Sequence, residues 1–305
     1  MKQMLDLEQI SNSVLTHPVS FVQSCEASFQ TQIDAAAKLI AANPSIRLVM
    51  LAGPSSSGKT TTAEKLRQSF LTYGRRAWTV SLDDFYLDPR QPQLFEDGTP
   101  DYETVHALDL PLLKMCLQTL LKANRCYLPR FSFLTRQREP EPVPLAIDRE
   151  DLVIVEGLHA LHPLITDALD QNCLFKLYVN VSSRLMQGNQ VLLTKRELRF
   201  IRRMVRDHQF RASSVNLTFY LWNGVRKGED RYLFPFRSRA DLRIDSTHPY
   251  EPCVFQSRAT GLLQTLEQDS PYYATALQLR QKLALFPPLD INLIPQQSLL
   301  HEFLG

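Results

Sequence analysis

The sequence contains no C-x-x-C pair, and its five cysteines (Cys25, Cys116, Cys126, Cys173, Cys253) are odd in number. That argues against a disulfide framework and for reduced, mostly buried thiols in a cytosol. No uninterrupted apolar run approaches the ~18 residues a membrane helix needs. The first residues, with Lys2, Asp6 and Glu8, lack the apolar stretch of a signal peptide. The expectation is a cytoplasmic protein with no membrane partner. Net charge is only +2, so nothing global points to nucleic acid or an acidic surface. Internal repeats and low-complexity tracts are also missing. What remains is ordinary globular material: 305 residues, 44% hydrophobic and 22% charged. That is enough for one large core or two modest ones.

Residues 1–46 read as a helical extension. Phe21, Phe29, Ile33, Ala37 and Ile40 recur at near-helical spacing, and Asn43-Pro44 ends the run. From residue 47 onward short apolar runs alternate with longer helical patterns. The strand candidates are 48–51, 78–82, 152–155, 175–181 and 242–244. They are unbroken rather than alternating, which suits a parallel sheet covered on both faces. Helices are expected over 59–72, 108–123, 192–209, 214–226, 250–266 and 272–285. The alternation predicts a three-layer α/β/α sandwich over 47–305. Residues 250–305 supply closing helices and a tail. The stretch Pro129–Pro144, rich in proline and arginine, is either a surface loop or part of a site.

The strongest motif is Gly53-Pro54-Ser55-Ser56-Ser57-Gly58-Lys59-Thr60, which matches G-x-x-x-x-G-K-[ST] in full. The glycines let the backbone curl so that N–H groups face phosphate oxygens. The following helix turns its positive end toward the same anion. Lys59 would sit on the β- and γ-phosphates, the Thr60 hydroxyl would hold Mg²⁺, and Thr61 would complete the ATP cradle. A strand must precede such a loop and a helix must follow. Residues 47–52 and 60–71 read as those elements, so the fold expected is that of a P-loop NTPase.

A phosphate loop alone could serve a GTPase, a motor or a transporter. A kinase also needs a base, a metal acid and cations. Ser81-Leu82-Asp83-Asp84-Phe85-Tyr86 follows a strand, where carboxylates can take an acceptor proton. Leu152-Val153-Ile154-Val155-Glu156 is an apolar strand ending in an acid, the layout of a Walker B segment, with Glu156 as the Mg²⁺ acid. Lys195, Arg196, Arg199, Arg202, Arg203, Arg206 and Arg211 crowd one helical stretch. Four of them, at 199, 202, 203 and 206, fall on one face. Three readings stand for that row: a lid closing over phosphates across about 190–228, a solvated basic face, or contact with a nucleic-acid backbone.

Ordered blocks then carry a resemblance. They are GPSSSGKTT (53–61), SLDDFYLD (81–88), DYETVHALDL (101–110), LPRFSFLTRQRE (128–139), LVIVEGLHALHP (152–163), LRFIRRMVRDHQFR (198–211) and the stretch 228–241. Together they resemble the uridine kinase and phosphoribulokinase family of P-loop enzymes. The chain is most similar to a bacterial uridine kinase-like branch, and the extra N-terminal region of that branch's longer members is not seen here. The resemblance implies a helical, arginine-rich lid, with Arg202 and Arg206 beside Asp83 and Lys59 as catalytic groups. Asp83 would be the general base, and Arg203 and Arg211 would hold phosphates. It also implies that Asp84, Tyr86, Tyr102, Glu103, Phe131 and Arg136 line the acceptor site. Where relatives carry Tyr and His for a pyrimidine edge, this chain has Phe131, which can only stack, and Arg136, which donates but cannot accept. The function expected is transfer of the γ-phosphate of ATP to the 5′-hydroxyl of a nucleoside, with Mg²⁺ as cofactor. The chain is expected to have no nucleic-acid partner, and a homo-oligomer is allowed. Two alternatives remain: a kinase for another small hydroxyl compound such as a sugar phosphate, and a nucleotide-gated RNA-binding or regulatory protein without turnover.

Overall fold

The computed structural model describes residues 4–87, 93–98, 100–132, 135 and 137–305. Five strands form a parallel sheet in the spatial order Leu242–Asp245, Leu174–Asn180, Leu48–Ala52, Leu152–Glu156, Ala77–Ser81. These are the five expected strands, each within a residue or two at its ends. Their apolar runs are unbroken because both faces are covered. Val49, Leu51, Leu152, Ile154, Leu177 and Val179 pack into one core cluster. Leu48, Met50, Ala52, Val153 and Val155 pack into the other, as the two-residue strand period requires. The sandwich is therefore built as the sequence predicts.

One face is covered by Pro18–Ala41, Lys59–Leu71 and the helices Lys195–Arg211, Glu251–Gln264 and Tyr273–Leu283. The other carries Leu110–Ala123. Residues 1–46 read as an extension, but Val22, Phe29, Ile33, Ala37 and Ile40 of Pro18–Ala41 are buried in the same cluster as the sheet. A small second sheet is absent from the expectations above. Met4–Asp6 pairs in parallel with Arg184–Gln187, which turns back through Gly188 onto Gln190–Leu193. The stretch Pro129–Pro144 belongs to two nested hairpins. Arg125–Leu128 pairs with Val143–Ala146, and inside them Phe131–Ser132 pairs with Gln137–Arg138.

Parallel strands collect their C-terminal ends at one edge of the sheet, where open α/β proteins place ligands. Here the register sets Glu156 opposite both Leu51 and Ser81. The loop after Ala52, the turn after Ser81 and the acid ending Leu152–Glu156 thus meet at one point.

Candidate active site

The phosphate loop leaves the central strand and runs into Lys59–Leu71. Ser56 (φ 57°) and Gly58 (φ 83°) take left-handed backbone angles, which turns successive N–H groups inward as an anion nest. At Gly58 the missing side chain also has a packing reason. A Cβ there would lie 2.3 Å from Leu299 Cδ1. The hydroxyls of Ser56 and Ser57 are buried and without a hydrogen-bond partner among the described residues. Buried hydroxyls are normally paired, so these two fit a phosphate ligand. Lys59 folds back, with Nζ 3.4 Å from the Pro54 carbonyl. Thr60 is exposed at the mouth of the loop, where its hydroxyl can reach a metal.

The acids gather beside it. Ser81 Oγ donates to Glu156 Oε1 at 2.9 Å and accepts from the Asp83 N–H at 3.3 Å, so one serine ties the two carboxylate-bearing segments together. Burial pushes the Glu156 carboxyl up to about 7; Lys59 pulls it back and Asp83 pushes it further. Asp83 is open to the cleft but ringed by protein. That surrounding protein raises its pKa, against Lys59, Arg211 and Arg206, which lower it. Glu103 is half-buried near Arg203, Asp83 and Lys59, and burial pushes it up to about 7 against the pull of Arg203. Its position is fixed from two directions. The Glu103 N–H donates to Asp101, itself held by the Tyr232 hydroxyl. Helix Val215–Tyr232 approaches so closely at Gly228 that a Cβ there would lie 2.2 Å from Glu103 Cβ.

Asp84 has another task. Its Oδ1 accepts the Phe131 N–H at 3.2 Å, which docks the inner hairpin against the Asp83 segment. The Phe131 and Tyr86 rings then sit 5.8 Å apart at 55°, a tilted aromatic pair able to flank a flat ligand. Tyr102 is 46% exposed. Arg136 lies outside the described residues.

The arginine row divides into two functions. Arg203, Arg206 and Arg211 converge on Asp207, at 3.1, 2.8 and 3.5 Å. Arg206 and Arg211 also act on Asp83, so this trio faces the cleft. Arg202, expected among the catalytic guanidiniums, is placed elsewhere. It is fully buried, bonded to Glu251 through Nε (2.6 Å) and Nη2 (3.0 Å), and it donates to the Ser246 and Ser56 carbonyls. A guanidinium with its donors spent on protein cannot close on a phosphoryl group. Arg199 is equally buried. It pairs with Glu229 at 2.6 and 2.8 Å and donates to the Ser55 carbonyl at 3.0 Å, while Glu229 accepts the Ser55 N–H at 2.9 Å. Arg203 reaches Ser55 Oγ at 2.8 Å. The row therefore buttresses the phosphate loop from behind as well as lining the cleft. Asp207, Glu229 and Glu251 are the functional partners that sequence reasoning missed.

Residues 48–250 match the Phosphoribulokinase / Uridine kinase family. The chain belongs to this family. It is a P-loop kinase, built on the three-layer fold described above. The uridine kinase of Brevibacillus brevis is 30% identical over 200 residues, covering 65% of this chain and 83% of that one. The uridine kinase of Lactobacillus helveticus is 27% identical over 199 residues, covering 65% and 85%. Among solved structures, one described as a possible uridine kinase from Bacillus stearothermophilus is 19% identical and covers 72% of this chain and 100% of that one, with a TM-score of 0.48. No helix among the described residues is long and apolar enough to cross a membrane.

The raised carboxyls have a measurable consequence. Glu103 and Glu156 keep their protons in the folded state up to about pH 7, whereas the unfolded chain loses them near the ordinary 4.5. In that window the native state binds more protons, so stability falls as pH rises through it. Buried His159, with its pKa lowered to about 3, works the other way up to about pH 6.5, so what is expected of the two carboxyls is a drop in the thermal midpoint of the ligand-free protein between about pH 5 and pH 7.5 relative to a chain without them. In Glu156→Gln the drop should be smaller. Equal slopes in a melting series would remove Glu156 from this account.

Proposed function

We propose that this kinase transfers the γ-phosphate of ATP to the 5′-hydroxyl of a nucleoside. The observation that carries the reading is the meeting of Asp83 with Lys59, Arg206 and Arg211 at the mouth of the phosphate loop, with Glu156 tied to the same segment through Ser81. The names of the relatives support the acceptor class, and the Tyr86–Phe131 pair supports a flat base as part of it.

Gly53 to Thr61 would hold the triphosphate through inward N–H groups and the Ser56 and Ser57 hydroxyls. Lys59 would turn from the Pro54 carbonyl to the β- and γ-phosphates. Thr60 and Glu156 would hold Mg²⁺, which supplies charge neutralisation across the phosphate oxygens when bound. Asp83 accepts the proton of the attacking hydroxyl. The surrounding protein raises its pKa, while Lys59, Arg211 and Arg206 beside it favour the charged form that a base needs. Arg203, Arg206 and Arg211 offset the charge that spreads over the transferring group. Glu103 is a carboxylate of the acceptor side and suits ribose hydroxyls. Phe131 gives the base a stacking face without a hydrogen-bonding edge, so recognition would rest more on shape than on polar partners.

The test is ADP release from MgATP by the purified chain, challenged separately with uridine, cytidine, adenosine, guanosine, inosine and thymidine. Stimulation by one or two of these, with the matching 5′-monophosphate by mass, is the expected result. ATP binding with no stimulation by any nucleoside, but with stimulation by a sugar phosphate, would overturn the nucleoside reading and keep the kinase.

A further inference from the structure

Thr61 sits in the first turn of Lys59–Leu71, where N–H groups have no partner within the helix. Its N–H and its hydroxyl both donate to one oxygen, Glu302 Oε2, at 3.2 and 2.7 Å. The carboxylate comes from residues 298–305, a segment seated against the phosphate loop. Leu299, Leu300, Phe303 and Leu304 are buried in the main core cluster. Leu299 covers Gly58. The Leu304 carbonyl accepts from Arg258 at 2.7 Å, and the Arg202 guanidinium lies 5.2 Å over the Phe303 ring. The segment is thus anchored independently of Glu302, whose side chain is half-buried and turned to the nucleotide loop. Glu302 is also near enough to Glu156 to push that carboxyl upward.

The backbone amides of a phosphate loop and its helix start are the groups that cradle nucleotide phosphates. The positive end of the helix and its free N–H groups attract any anion, and a carboxylate answers them as a phosphate oxygen would. We propose that Glu302 is a built-in occupant of the phosphate-binding donors of Thr61, and that nucleotide must displace its side chain to bind. The inference rests on reading residues 53–61 as the nucleotide-phosphate site. Two anions cannot share the same N–H and hydroxyl donors, and each repels the other. The apparent affinity of the loop for polyphosphates is therefore set below its intrinsic value by the competing side chain. Because the rest of the segment is fixed in the core, the displacement needs only rotation of one side chain.

Titration calorimetry on the full chain tests this with two probes, MgATP and inorganic tripolyphosphate. Glu302→Ala should bind both about tenfold more tightly than the unsubstituted protein, the weight of one charge-assisted contact. Glu302→Gln keeps the shape and loses the charge, and it should fall between the two. Unchanged or weaker binding of tripolyphosphate in both variants, with melting curves like the parent's, overturns the proposal. If neither parent nor variant binds either probe, the phosphate-site reading itself fails and the proposal falls with it. Binding that is equal in parent and variants leaves the kinase site standing and removes only the role of Glu302.

Discussion

Asp83→Asn is expected to lower turnover by about 10²–10⁴-fold while leaving MgATP affinity nearly unchanged. The size follows from the task assigned to the carboxylate. An amide keeps the shape of Asp83 and its contact through the Ser81 segment, but it cannot accept the proton of the attacking hydroxyl. The binding half follows from position. Asp83 lies beyond Ser81, on a different strand end from the loop that carries Gly53 to Thr61. Removing its charge also relieves Glu156, on which Asp83 exerts an upward push, so metal affinity should not fall. Single-turnover phosphoryl transfer, with nucleotide binding measured separately, separates the two quantities. A variant that turns over at the parent rate would take Asp83 out of the chemistry and leave Glu103 as the next carboxylate to examine. Parallel loss of ATP binding would mean that the Asp83 charge instead helps to place Lys59 in the loop.

The parts of this site that lie along the chain were legible in the sequence. The loop 53–60 was readable because its pattern demands a strand before and a helix after, and both were present as periodic signals. The five sheet strands were readable because strands buried on both faces are continuous apolar runs. Two kinds of feature were not. The small sheet is made of strands three or four residues long, and it forms by pairing Met4 with Arg184, so no local pattern announces it. The arginine row looked like one basic face, yet Leu198, Ile201, Met204 and Val205 in the same helix are buried. Its inner members meet acids from other elements: Glu229 on Val215–Tyr232 and Glu251 on Glu251–Gln264. Charge spacing along one helix shows that guanidiniums share a side. It does not show which of them a distant carboxylate will claim, and that pairing decides whether an arginine serves the loop or the cleft.

The Arg199–Glu229 pair provides the second large effect. Both side chains are buried, at 1% and 0% exposure, and the Arg199 guanidinium lies 5.3 Å over the Trp222 ring. Glu229→Gln should cost about 3–5 kcal/mol of unfolding free energy, because it leaves a buried guanidinium without its counter-charge. Arg199→Met should cost a similar amount by stranding the acid. The joint change, Arg199→Met with Glu229→Leu, removes both charges and should recover most of that loss, since apolar replacements of buried pairs are often close to neutral. Loop function should not recover with it. The pair holds the Ser55 N–H and the Ser55 carbonyl at once, and no apolar side chain can replace either bond. The expected signature is a double variant with near-parental stability in denaturant and weakened MgATP binding. Near-parental stability in either single variant would show that the charges are not paired in the folded protein. Parental MgATP affinity in the double variant would show that the loop keeps its shape without them, and that this ion pair serves the core alone.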